Sequence, residues 1–218
     1  MKTAVMRVGA ILVVGVAVVA CKDPSAGKPR ATVGAAVPDR REATAARGAA
    51  GATYAISADT SKIGFVGSKV TGSHVGGFAK FTGTVDTDAQ KPGSITVEID
   101  ATSLFSDTEK LTAHLKSADF FDVAKFPKAT FASTDIRAGG TDKATHTITG
   151  NLELHGVKKS VAFPATVAFV DNSAAVTATS EFSINRKDFG IVYPGMKDDL
   201  IRDNVLIKLS INAKRVAR

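Results

Sequence analysis

The chain has 218 residues, 44% of them hydrophobic, with a single cysteine and a formal net charge of +7. That length suits one domain or at most two, and one cysteine rules out an internal disulfide framework, so the fold must stand on its apolar core. The positive charge is concentrated towards the N-terminus: residues 53–218 hold 20 bases against 18 acids, which argues against the basic face that a nucleic-acid partner needs.

Lys2 and Arg7 precede an uncharged run, Gly9–Ala20. The run is too short to span a bilayer as a helix and has the form of a secretory leader. It ends Val18-Val19-Ala20-Cys21, with a small residue directly before the only cysteine. This junction resembles the lipobox of bacterial lipoproteins. The resemblance implies a leader over 1–20, lipidation of Cys21, and a membrane partner through an N-terminal lipid anchor. It also implies a periplasm-facing place in a bacterial cell envelope. Lys22 stands where inner-membrane lipoproteins of enteric bacteria carry aspartate, which points to the outer membrane. The competing readings are an ordinary leader with an incidental cysteine, or an uncleaved anchor. Residues 21–52 contain no aromatic residue, Leu or Ile. Such a stretch buries too little apolar surface to offset its ordering entropy. It reads as the acylated Cys21 and a flexible linker, leaving 53–218 as the folded domain.

From Tyr54 onward, strand signals alternate with turn residues. Tyr54 and Ile56 open the domain. Lys62–Val70 follows, Gly-rich Thr71–Gly77 turns the chain, and Gly77–Asp86 resumes as a strand. Ser94–Asp100 sets Ile95, Val97 and Ile99 against Thr96, Glu98 and Asp100, the pattern of a strand with one wet face. Ser106-x-x-Glu109 reads as a capping box for a helix of about ten residues ending near Ala118, with Leu111, His114 and Leu115 on one face. A corner with four phenylalanines follows: Phe120, Phe121, Phe126 and Phe131. Further strands are expected over 130–137, 145–154, 158–170, 174–184 and 204–214. His155-Gly156 and Asp171-Asn172-Ser173 form hairpin turns, and Pro164 marks an edge or a bulge. Eight or nine antiparallel strands and one main helix point to an all-β domain, a barrel or a sandwich. An eight-stranded barrel is about wide enough for one small ligand.

No catalytic constellation stands out. The four histidines have no metal spacing, though His146 and His155 could meet across a hairpin. Gly72–Gly77 lacks the strand-to-helix context of a phosphate loop. Asp119 and Asp122 flank the Phe pair as backbone caps or as a polar lip. Arg186 and Asp188 could pair at the barrel end.

The stretch His114-Leu-Lys-Ser-Ala-Asp-Phe-Phe-Asp-Val, with Phe126-Pro127 and Phe131-Ala-Ser133, resembles the central signature of YceI-like proteins. Ser61-Lys-Ile-Gly-Phe65, Phe81-x-Gly83, Gly150-x-Leu152-x-x-His155-Gly156 and Arg186-x-Asp188-Phe189-Gly190 also resemble that family, in family order. The chain differs in opening on Tyr54 where many members have Trp, and in its Gly67–Gly77 loop. The resemblance implies an extended antiparallel eight-stranded lipocalin-like barrel with one main α-helix packed against it. It also implies an apolar or amphiphilic small-molecule partner, such as a polyisoprenoid or fatty-acyl chain, with no cofactor and no catalysis; a homodimer is a further option. The residues proposed to line the pocket are Phe65, Phe81, Leu111, His114, Leu115, Phe120, Phe121, Phe131, Leu152 and Phe182. Two other readings stand against a carrier or sensor: a filled barrel acting as a structural or interaction module of the envelope, and an enzyme using His114 with a nearby carboxylate.

Overall fold

The structure is a computed structural model that describes residues 22–38, 51–88, 91–141 and 143–217. The expected leader and Cys21 lie outside the described residues, as do residues 39–50 of the expected linker. Fourteen strands and one α-helix are described. They run in the order β1 (Thr32–Ala35), β2 (Thr53–Ser57), β3 (Lys62–Ser68), β4 (Ser73–Phe78), β5 (Phe81–Asp88), β6 (Lys91–Asp100) and β7 (Leu104–Ser106). Then come α1 (Glu109–Lys116), β8 (Lys128–Ala138), β9 (His146–Leu154), β10 (Val157–Val170), β11 (Ala175–Asn185), β12 (Gly195–Met196), β13 (Asp199–Leu200) and β14 (Asn204–Arg215).

Eight of these strands close a barrel. Antiparallel pairing runs β10-β9-β8-β6-β5-β2-β14, and β11 joins β14 back to β10. β3 continues along β14 beyond β2 and carries β4 and β7 outward as a flap. The period-2 patterns set the register: Ile95, Val97 and Ile99 face inward opposite Val85, Gly83 and Phe81, and Ile207 and Leu209 sit opposite Phe65 and Ile63. His155 and Gly156, with φ of 53° and 71°, make the tight β9–β10 turn. A two-residue hairpin of this hand needs positive φ at both positions.

Two local expectations are corrected. Thr71–Gly77 is not simply a turn: Ser73–Phe78 is a strand paired to β3. Its glycines answer to packing, since a Cβ on Gly76 would lie 2.4 Å from the Phe65 ring and 2.6 Å from the Phe105 carbonyl. The cap of α1 is Thr108, whose hydroxyl accepts from Leu111 N. Ser106 cannot serve there because it belongs to β7 and donates to the Thr108 carbonyl instead. The helix spans eight residues and ends at Lys116, with Ser117 as its C-cap.

A larger correction concerns residues 22–38, which do not form a free tether. β10 and β11 pair only from Thr166↔Thr179 to Val170↔Ala175. Beyond that point they part, and the N-terminal segment fills the gap. β1 pairs with Ala162–Lys159 of β10. On the other side, Ala31 N donates to Ser183 O at 2.9 Å and Ser183 N donates to Pro29 O at 2.8 Å. Ala31 is only 5% exposed and joins Val161, Phe163, Phe182 and Ile184 in the core. The Asn151 side chain accepts from Val37 N at 3.0 Å and donates to Val37 O at 2.6 Å, and Lys28 pairs with Glu181. Pro164 sits at the seam, where its lack of an N–H removes no β10–β11 bond. Composition could not foresee this docking, because the segment is held mainly by backbone hydrogen bonds rather than by large apolar side chains.

Candidate functional site

The barrel is not filled by its own side chains. An apolar cavity of about 410 Å³ runs through it. Its wall is built from the inward face of nearly every barrel strand: Ile95, Val97 and Ile99 of β6, Phe131 of β8, Ile148, Leu152 and Leu154 of β9, Phe163 of β10, Phe182 of β11, and Ile207, Leu209 and Ile211 of β14. Many of these are only partly buried although they point inward. Side chains in a solid core would be sealed by neighbours; these border open space. One end is closed by Tyr54, Val176, Ala213 and Phe169. There the Tyr54 hydroxyl donates to Ser173 O, and its ring meets Phe169 edge-on at 6.1 Å. At the other end the wall passes to Leu111 and Leu115 of α1, Phe120 and Phe121 of the aromatic corner, and Ile191 and Ile201 of the loop before β14.

That second end carries most of the polar side chains of the wall: Ser68, Lys69, His74 and Arg186. Lys69 pairs with Asp199, which also accepts from Thr71 N and Oγ1. His74 Nδ1 lies 3.0 Å from Asp107. Arg186 is 5% exposed. It donates to the carbonyls of Ile191 at 2.7 Å, Arg202 at 3.2 Å and Ile201 at 3.4 Å, and its ion pair is with Asp203 at 3.4 Å. The expected partner Asp188 is thus replaced by Asp203. Burial pushes the Arg186 guanidinium below its ordinary pKa, against the opposing pull of Asp203. The hydrogen bond from Lys69 holds the Asp199 carboxyl below its ordinary value.

Of the ten residues expected to line a pocket, the structure places Phe65, Leu111, Leu115, Phe120, Phe121, Phe131, Leu152 and Phe182 on the cavity wall. Phe81 and His114 are not there. Phe81 is buried in the cluster with Tyr54, Ile56 and Ile99. His114 shares the helix side of Leu111 and Leu115 but stands behind the wall, with Nε2 2.9 Å from Asp119 Oδ2 and its ring against Phe120 and Tyr193. The His114–carboxylate pair of the enzyme reading therefore exists, but off the cavity wall, whereas His74 of the His74–Asp107 pair borders it. His146 and His155 sit at opposite ends of β9, bonded to Thr145 and to the Phe189 carbonyl. No cluster of three or more metal-ligating side chains occurs among the described residues. The aliphatic majority of the wall was missed as ligand-facing, although its in-phase alternation marks the same inward face.

Known proteins share this architecture. A YceI-like domain is matched over residues 54–213. A UPF0312 protein of Pseudomonas putida is 38% identical over 128 residues, covering 55% of this chain. A UPF0312 protein of Pseudomonas fluorescens is also 38% identical. The match spans 65% of the length of these relatives. Among solved structures, Burkholderia cenocepacia BcnA superposes with a TM-score of 0.63 at 28% identity, over 73% of this chain and 99% of its own. A polyisoprenoid binding domain from Saccharophagus degradans superposes with a TM-score of 0.60 at 16% identity, over 75% and 98%. The latter likeness speaks for the fold alone.

Proposed function

The chain belongs to the YceI-like family, and on that premise we propose that it is an exported, lipid-anchored binding protein that holds one long apolar or amphiphilic chain inside its barrel. The observation that carries this reading is the cavity: about 410 Å³, walled by aliphatic and aromatic side chains, with its few polar groups gathered mainly at one end. That volume lies within the ~300–1,000 Å³ of ordinary small-molecule sites. Binding follows from burial, at ~0.8 kcal/mol for each CH₂ removed from water. An isoprenoid chain fits this chemistry, and the Saccharophagus degradans domain of the same fold is described as polyisoprenoid binding. The role is carrying or sensing, with no bond made or broken. Anchoring through Cys21 is supported by the Val18-Val19-Ala20-Cys21 junction.

The test is to purify the full chain from bacterial envelopes in mild detergent and examine it by native mass spectrometry, before and after organic extraction. A discrete adduct of one apolar molecule, lost on extraction, is the expected result. Bare protein in every preparation would overturn the binding reading. Labelled palmitate entering the parent but not Cys21→Ser checks the anchor separately.

A further inference from the structure

We propose that the barrel is held with its open end against a lipid bilayer. The two loops at that end, 69–72 and 190–203, form a lipid-contacting rim beside the anchored N-terminus, and the ligand passes between bilayer and cavity there. This rests on the anchored, chain-binding reading above and adds a docking face and a route.

Three observations carry it. The first is where the cavity opens. Lys69 and His74 border it, yet 37% and 39% of their side-chain surface is exposed. This end therefore communicates with the outside, whereas Tyr54, Phe169, Val176 and Ala213 close the other.

The second is apolar surface that the fold leaves out. Val70, Val192, Met196 and Leu200 stand on these two loops, and each is more than half exposed. The antiparallel bridge between Lys69 and Ile201 sets Val70 beside Leu200. Lys69 and Ile201 border the cavity, and side chains alternate along a strand, so Val70 and Leu200 turn outward. The nearby charges are already answered, Lys69 by Asp199 and Arg202 by Asp23. Apolar patches of this kind mark contact with lipid or protein.

The third observation chooses lipid. Residues 22–38 are docked on the barrel, so the anchor has a fixed place of departure. Asp23 faces Arg202 at 3.9 Å, and Arg202 N donates to Ser68 O, the pair next to the Lys69–Ile201 bridge. Two residues separate Asp23 from Cys21, a reach of at most ~7 Å. An acyl group on Cys21 thus brings the bilayer to the Val70–Leu200 rim. With the barrel so tethered, contact of the rim with lipid is intramolecular, and a small patch suffices to orient it.

The chain has no tryptophan, so two variants each carry one reporter: Leu200→Trp on the rim and Val216→Trp at the closed end, where Val216 N donates to Thr53 O. Each full-length protein, made in bacteria and lipidated there, is reconstituted into phosphatidylcholine vesicles with and without bromine on the acyl chains. Leu200→Trp should lose about half its emission to bromine, as a side chain at the acyl boundary does, and Val216→Trp almost none. In parallel, Leu200→Asp should slow uptake of a fluorescent isoprenoid from vesicles about tenfold, the effect of one apolar side chain withdrawn from lipid. Its affinity for the same isoprenoid added from solution should stay at the parent value. Equal quenching at the two positions, stronger quenching at Val216→Trp, or none at either in protein that floats with the vesicles would overturn the docking face and leave anchor and binding intact. Uptake by Leu200→Asp at the parent rate would overturn the route. Protein that does not float removes the anchor and this inference together. A parent that takes up no isoprenoid removes the binding reading and the route, while the quenching still decides the docking face.

Discussion

The open interior makes a prediction of unusual sign for Ala178→Phe. Ala178 lies on β11 opposite Val167 and Ile211. It shares the inward face with Phe182 and borders the cavity. An apolar void of about 150 Å³ accepts a benzene ring, so one phenyl group takes up roughly a third of the 410 Å³ available. The displaced part of a ligand amounts to roughly four methylenes, or ~3 kcal/mol at ~0.8 kcal/mol each, which is a ~100-fold loss of affinity. The ligand-free protein should keep or raise its melting temperature, because the new ring gains contacts with wall atoms that otherwise face empty space. Calorimetric unfolding of delipidated protein and titration with a fluorescent isoprenoid measure the two effects together. In a barrel packed solid, the same substitution would be overpacked and would lose ~1–3 kcal/mol of stability. A lowered melting temperature with unchanged ligand affinity would refute the reasoning.

Three further outcomes follow from the structure. Asn151 is 1% exposed and holds both backbone groups of Val37; Asn151→Ala should destabilise by ~1–3 kcal/mol and speed hydrogen exchange across residues 31–37. Arg186→Lys cannot reproduce the fork that reaches three carbonyls and Asp203; it should lower the melting temperature and loosen residues 191–203, again visible by hydrogen exchange. Asp199 has its carboxyl pKa lowered first by the Lys69 hydrogen bond, so its link to Lys69 and Thr71 contributes fully above the ordinary value of 3.8 and is lost as pH falls through the lower folded value. The Thr71 amide resonance should therefore shift only in acid below the ordinary 3.8, as pH falls through the lowered folded value, and in Asp199→Asn it should not titrate.

Much of the barrel was legible in the sequence because alternation survives where one face is wet: Ser94–Asp100 and the β14 series could hardly read otherwise. The His155-Gly156 turn announced itself by residue type. The strand at Ser73–Phe78 did not, because its glycines are there to admit Phe65 and Phe105 and look the same as turn glycines. The docked segment 22–38 was hidden for a related reason. Backbone hydrogen bonds to Ser183 and β10 leave no mark in composition, and the apolar signature is slight, Ala31 and Val33. On the cavity wall, the aromatics drew attention away from the aliphatic residues in phase with them. Phe81 faces the same core but packs into the Tyr54 cluster, and the spacing that set His114 beside Leu115 could not say which of the two faces the barrel. Arg186 was visible as a special residue, but its partner Asp203 is distant in sequence and was not.

The central claim is that a ligand chain lies inside the barrel, and the most direct measurement is by NMR on methyl-labelled full-length protein loaded with an isoprenoid. Intermolecular contacts should connect the chain to the methyl groups of Ile95, Leu152, Leu154 and Ile207 on opposite walls. Contacts confined to the exposed methyls of Val70, Val75 and Leu200, with the inward-facing set silent, would contradict it.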